Sequence, residues 1–172
     1  MNYNRFILEN VMIQFVNVFT PSAKDPNKYS VKVKLHKEKD KKAIDIIKAH
    51  IEKIQEDNGK CTKTNIFFID GDGSEYYDGC YYFSASRPVS DTFGRPNIVD
   101  RQKNPILPED NKIGMNDIVN IDLSLWYQNN KHGQRVNCRL NGIQVVEHKG
   151  IIKDEVDLFK VVEDDNDLIA NM

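Results

Sequence analysis

The sequence has no closely spaced pair of cysteines and no histidine cluster. Cys61, Cys80 and Cys138 are far apart and odd in number, the pattern of free thiols in a reducing compartment rather than of a disulfide framework. Structural zinc usually takes paired cysteines or histidines at short spacing, and His36, His50, His132 and His148 are as scattered as the cysteines. No metal and no cofactor are expected. No apolar run approaches the roughly 18 residues of a membrane-spanning helix. The opening MNYNRFILEN lacks the basic region and apolar core of a secretory signal. The expected location is a cytoplasm, with no membrane partner. P-loop, nucleophile-elbow and metal–histidine motifs are missing too, which argues against an enzyme.

An overall basic bias is also lacking: the net charge is −2 over 172 residues. Its distribution is uneven. Residues 154–172 carry Asp154, Glu155, Asp157, Glu163, Asp164, Asp165 and Asp167 against Lys160 alone. The rest of the chain then holds 23 basic and 19 acidic residues, a surplus of four positive charges. The expected organisation is one domain over 1–153 and an acidic C-terminal tail over 154–172.

Most of the domain reads as strands. Residues 6–19, FILENVMIQFVNVF, are rich in Phe, Val and Ile, and a Pro-bearing loop follows. In KYSVKVKLHK, Tyr29, Val31, Val33 and Leu35 alternate with Ser30, Lys32, Lys34 and His36, which predicts a half-buried strand with a basic outer face. One helix is predicted, with Ile44, Ile47, Ile51 and Ile54 at helical spacing, Asp40 as N-cap and Asn58-Gly59 as the stop. Strands do not alternate with helices, so a parallel α/β sheet is not expected. The pattern predicts a mainly β chain, a small antiparallel barrel with one amphipathic helix.

DGDGSEYYDG, from Asp70, has the oxygen-rich look of a calcium loop. An EF-hand needs Gly at its sixth position and Glu at its twelfth; here they are Glu75 and Tyr81. A tight turn is the better reading, with Gly71 and Gly73 supplying unusual backbone angles. A nuclease using Asp70, Asp72, Asp78 and Asp100 with a metal is the enzymatic alternative.

The candidate site comes from the facing of a predicted hairpin. Val119, Ile121, Leu123, Leu125 and Tyr127 point one way, and Asn120, Asp122, Ser124, Trp126 and Gln128 the other. On the returning strand Val136, Cys138 and Leu140 face in, and Arg135, Asn137, Arg139 and Asn141 face out. Cross-strand pairing puts Trp126 opposite Asn137, with Arg135 and Arg139 as diagonal neighbours. An aromatic ring among guanidinium groups suits nucleobases and phosphates without a sequence code. Cover by the 87–116 segment is the other reading of Trp126. In CYYFSAS, Tyr81, Phe83 and Ala85 read as core and Tyr82 as a second outward stacking residue. Beyond it, Arg87, Arg95 and Arg101 surround a loop bearing Phe93, read either as a base contact or as a pin holding the loop to the barrel.

The order of segments resembles a known family. YYFSASRP, PNIVDR and then NIDLSLWYQNNKHGQRVNCRLNGIQVV, ending in Leu140-Asn141-Gly142-Ile143-Gln144, are similar to bacteriophage single-stranded-DNA-binding proteins, and the DGD turn at 70–72 fits as well. The resemblance covers roughly residues 6 to 150. It implies a five-stranded antiparallel oligonucleotide/oligosaccharide-binding (OB) barrel that coats single-stranded DNA in phage replication and recombination. It also implies an acidic tail that contacts replication partners and competes with DNA. Asp164, Asp165, Asp167, Leu168 and Ile169 are the candidate tail contacts, although the tail does not end in an aromatic residue. An RNA-binding OB module and a non-catalytic scaffold remain as alternatives, and a homodimer is compatible with an open sheet edge.

Overall fold

The computed structural model describes residues 4–150. The acidic tail, with Asp164, Asp165, Asp167, Leu168 and Ile169, lies outside the described residues.

Seven strands and one helix follow in the order β1 (Asn4–Asn17), β2 (Lys28–His36), α1 (Lys41–Asn58), β3 (Ile69–Asp70), β4 (Cys80–Pro88), β5 (Asn97–Val99), β6 (Ile118–Asn130) and β7 (Gly133–Glu147). Five of them close a ring, β1-β2-β4-β7-β6 and back to β1. Four of its seams are antiparallel; the closing seam, β4 to β7, is parallel and consists of one pair, Ser86 with Arg139. This is the expected OB-type barrel. β5 adds a short parallel pairing to β7, within a segment that reads only as a long Pro/Gly-bearing connection in the sequence.

Alternation fixes which side chains fill the ring. Val31, Val33 and Leu35 of β2, Phe83 and Ala85 of β4, Val119, Ile121, Leu123 and Leu125 of β6, and Val136, Cys138 and Leu140 of β7 are all buried. α1 covers one end of the barrel through Ile44, Ile47, Ile51 and Ile54, the predicted face. Each such buried side chain contributes up to about 1.5–3 kcal/mol. Asp40 stands at the helix start but does not cap it; its Oδ2 accepts the backbone N–H of His36 instead. The helix ends at Gly59, with φ 123°, whose N–H reaches the Gln55 carbonyl.

β1 is the strand that strict alternation misreads. Its register shifts between Leu8 and Val11 and again between Gln14 and Asn17. Asn10 and Phe15 take positive φ, 55° and 50°. These bulges bend the strand, so its first part pairs with β6 and its second part with β2. Phe15 is thereby turned outward and left 54% exposed, although it shares its parity with buried Val11 and Ile13.

The hairpin turn is tighter than its NNKHG sequence suggests, with only Lys131 and His132 between the paired Asn130 and Gly133. The LNGIQ stretch now has a physical explanation. Leu140 and Ile143 are core. Asn141 is the extra residue of a bulge, and its Nδ2 donates to Asp122 Oδ1 and Ser124 Oγ at 3.1 and 2.7 Å. Gln144 holds the 100s loop by donating to the Arg101 carbonyl. A Cβ on Gly142 would lie 2.8 Å from the Asn97 carbonyl oxygen, so only glycine lets β5 approach. Gly142→Ala is expected to cost about 1–3 kcal/mol, as overpacking does. Denaturant unfolding measures this, and unchanged stability would contradict the close-approach account.

Candidate nucleic-acid interface

The outward rows of neighbouring strands make one strip. Across β2 and β4, Lys34 pairs with Tyr82, Lys32 with Ser84, and Ser30 with Ser86. Ser86 meets Arg139 at the closing seam, and across β7 and β6 Arg139 pairs with Ser124 and Asn137 with Trp126. Ser30, Ser84 and Ser86 therefore floor the middle, between an aromatic group at each end, while Ser124 is buried beneath Arg139's row. Strands about 4.8 Å apart bring Lys32, Lys34, Tyr82, Asn137, Arg139 and Trp126 onto one surface.

The first aromatic group is richer than its sequence signal. Tyr82 stacks on Tyr77, with ring centroids 4.1 Å apart and planes 19° off parallel. The Lys32 ammonium lies 5.3 to 5.4 Å from the ring centroids of Phe15, Tyr77 and Tyr82, the range of cation–π attraction. Phe15 and Tyr77 belong to this group and do not stand out in the sequence. Phe15 is re-aimed by a bulge, and Tyr77 lies in a turn where facing has no period.

In the second group Trp126 is half-buried. Asn137 Nδ2 donates to Gln128 Oε1 at 3.1 Å. The Arg139 guanidinium lies 5.2 Å from the Phe93 ring centroid, and Phe93 remains 46% exposed. Arg87 has a different task from the one its charge suggests. Its guanidinium donates to the Phe93, Gly94 and Leu140 carbonyls, so it ties the 90s loop to β7. Burial, and then the like charge of Arg139, pull its pKa below the ordinary value; such crowded cations suit an anion. Arg135 and Arg95 are exposed near this group. Arg101 is set apart, past Val99, which pairs with Gln144, roughly 20 Å along β7 from Asn137 at about 3.3 Å per residue.

Tyr81 corrects the core assignment of its strand. It is only half-buried, at the barrel end, with its ring stacked on Phe68 at 4.5 Å. Lys37 and Lys48 approach that ring at 4.8 and 4.6 Å.

The 70–79 turn is held by its own carboxylates. Lys37 Nζ donates to Asp70 at 2.8 Å and to Asp72 at 2.6 Å, so an ammonium occupies the position a cation would take. Asp78 accepts from the Gly73 N–H, and Asp100, on another loop, accepts from Gln102 and Asn104. Gly73 has φ 88°, as expected. Gly71 is needed for a different reason, because a Cβ there would lie 2.2 Å from the Tyr77 carbonyl oxygen. Three carboxylates of the nuclease reading are thus engaged within the 70–79 turn and the fourth, Asp100, in a separate loop, and among the described residues no group of three or more His, Cys, Asp or Glu could hold a metal. No described helix is long and apolar enough to cross a membrane.

A family model described as Enterobacter phage Enc34, ssDNA-binding protein, matches residues 4–168. The chain belongs to this family. Solved structures agree on the fold. The single-stranded DNA-binding protein from bacteriophage Enc34 superposes with a TM-score of 0.71 at 22% identity, over 83% of this chain and 80% of that one. The same protein in complex with ssDNA gives 0.71 at 20% identity, over 83% and 86%. The bacteriophage T7 single-stranded DNA binding protein gp2.5 gives 0.57 at 19% identity, over 95% and 100%. Curated proteins yield no significant match. OB barrels bind oligonucleotides on their second and third strands. In this family member those are β2 and β4, the strands of Lys32, Lys34 and Tyr82.

The Lys37 bonds hold the Asp70 and Asp72 carboxyls below the usual carboxylate range and raise the lysine. The carboxyls' share of this stabilisation is therefore present above about pH 4 and is lost as pH falls through their depressed values. The lysine's share is present below about pH 10 and is lost as pH rises through its raised value. Lys37→Met is expected to move both carboxyl titrations upward, toward about 3.9, read by carboxyl-carbon NMR. Unmoved titrations would contradict the bridging role.

Proposed function

We propose that this chain is a sequence-nonspecific single-stranded-DNA-binding protein that coats and protects DNA during phage replication and recombination. It acts in the host cytoplasm and carries out no chemistry on its ligand. The observation that carries this reading is the outer strip itself, with stacking rings at both ends, cations along it and a hydroxyl-lined floor, in a member of an ssDNA-binding family. Bases stack on Trp126, Tyr82, Tyr77, Phe15 and Phe93. Lys32, Lys34, Arg135, Arg139 and Arg95 take phosphates, Asn137 orients the strand, and Arg87 positions the loop that carries Phe93. Arg101 reaches only a strand that extends past β5. Stacking and phosphate contact read no base edges, so any sequence is accepted.

Trp126 is the only tryptophan, so its fluorescence reports stacking directly. Oligo-dT is expected to quench it strongly and duplex DNA weakly, with no cleavage when magnesium is added; an oligo-rU arm measures the sugar preference. Trp126→Ala or Tyr82→Ala is expected to weaken binding roughly 5- to 150-fold, about 1–3 kcal/mol per stacked base. Full affinity in folded variants at both positions would refute the surface.

We further propose that residues 1–153 bind DNA and that 154–172 form a partner-contacting, autoinhibitory tail, with Asp164, Asp165 and Asp167 competing for the cations and Leu168 and Ile169 as apolar handles. The charge split between tail and body supports this. Deleting 154–172 is expected to tighten ssDNA binding, most of all at low salt. Unchanged or weaker affinity would contradict autoinhibition.

A further inference from the structure

A groove of about 870 Å³ lies at the barrel end, between α1 and residues 63–70. The 63–70 segment fills the gap where β4 and β7 part: Ile66 bridges to Val136, and Ile69 pairs with Tyr82. Lys48 and Ile51 of α1, Lys63, Phe68 and Tyr81 line the groove, as do Arg135 and Asn137 of β7. Those last two also belong to the outer row of β7, where Asn137 faces Trp126. The groove and the strip therefore share a border.

Its chemistry matches the strip. Lys48, Lys63 and Arg135 supply three cations against Glu52 and Asp70, and Asp70 is already bonded to Lys37. The floor is apolar, with Phe68 stacked on Tyr81, and Ile69 is 43% exposed. A space of this size falls within the roughly 300–1,000 Å³ of small-ligand sites. Arg139, Asn137 and Arg135 succeed one another every second residue, about 6.6 Å, as a row leading from the strip to the groove. The chain leaves the barrel at the other end of β7, after Glu147, where the backbone of Lys149 and the ring of His148 are bonded to buried Asp117.

We propose that this groove is a second subsite for the bound single strand. It takes the nucleotides that pass Arg135, with Lys48, Lys63 and Arg135 on their phosphates and the Phe68–Ile69 floor against their bases. The proposal rests on the strip being the DNA face. It lengthens the binding site beyond the barrel surface and gives α1 a part in binding.

The test compares oligo-dT of about 5 nucleotides, which the strip alone accommodates, with about 12, within the roughly 4–16 that an OB fold covers. Both are titrated into full-length wild type, Lys48→Glu/Lys63→Glu and Trp126→Ala. The double variant is expected to bind the longer strand about 10-fold more weakly and the shorter one as wild type does. Its salt slope on the longer strand should fall by about 1.4, for two lost phosphate contacts. Trp126→Ala should weaken both strands. Wild-type binding of the longer strand by the double variant, while Trp126→Ala still weakens both, would overturn the subsite alone. No effect of Trp126→Ala on either strand would overturn the strip and the subsite with it. As a readout independent of the variants, the Ile51 and Ile69 methyl signals of wild type should shift with the longer strand and not with the shorter. Silence with the longer strand would overturn the proposal. So would methyl shifts that follow, without DNA, from deleting residues 154–172 and do not follow from adding the longer strand, which would assign the groove to the tail.

Discussion

One backbone contact organises the candidate site: the parallel pairing of Ser86 with Arg139 that closes the barrel. Without it, β2 and β4 would carry one aromatic–cationic group and β6 and β7 another, at opposite ends of an open sheet joined only through β1. With it, the hydroxyl row of Ser30, Ser84 and Ser86 becomes the floor between them. The seam is short because the strands diverge at once, and the 63–70 segment fills the gap. Arg87 reinforces the junction from outside by bonding the 90s loop and the Leu140 carbonyl together. Barrel closure and the assembly of a continuous surface are one event.

The hairpin was the most legible part of the sequence. Its two-residue period determined inward and outward rows on both strands, and the pairing of Trp126 with Asn137 follows from it. The helix was legible for the same reason at a different period. Features that break the period were not. The bulges in β1 change the facing of Phe15, and Tyr77 is placed by a turn whose geometry depends on Gly71 fitting against its carbonyl. The parallel closure carries no local signal either, because its partners are more than fifty residues apart.

Charge was legible in number and not in task. Arg87 and Arg139 are both basic residues near the seam, yet one is engaged by three carbonyls and the other lies against Phe93 with its charge available. Asp122, on the same outward row as Trp126, is occupied by Arg5 at 3.0 and 2.6 Å and by Asn141, so it subtracts little from the positive field around the strip. The recognisable LNGIQ stretch is likewise architectural: it sets a bulge, a close strand approach and a loop tether. The residues proposed to meet DNA, Arg139, Asn137 and Trp126, lie beside it.

The central claim is that a single DNA strand meets both aromatic groups at once. Photo-crosslinking an oligonucleotide of about 12 nucleotides, substituted throughout with iodo-deoxyuridine, and mapping the adducts by mass spectrometry tests it most directly. The account predicts adducts on Tyr77 or Tyr82 and also on Trp126, in complexes of one strand with one protein. Adducts confined to one group, or concentrated on the Arg101 loop, would contradict it.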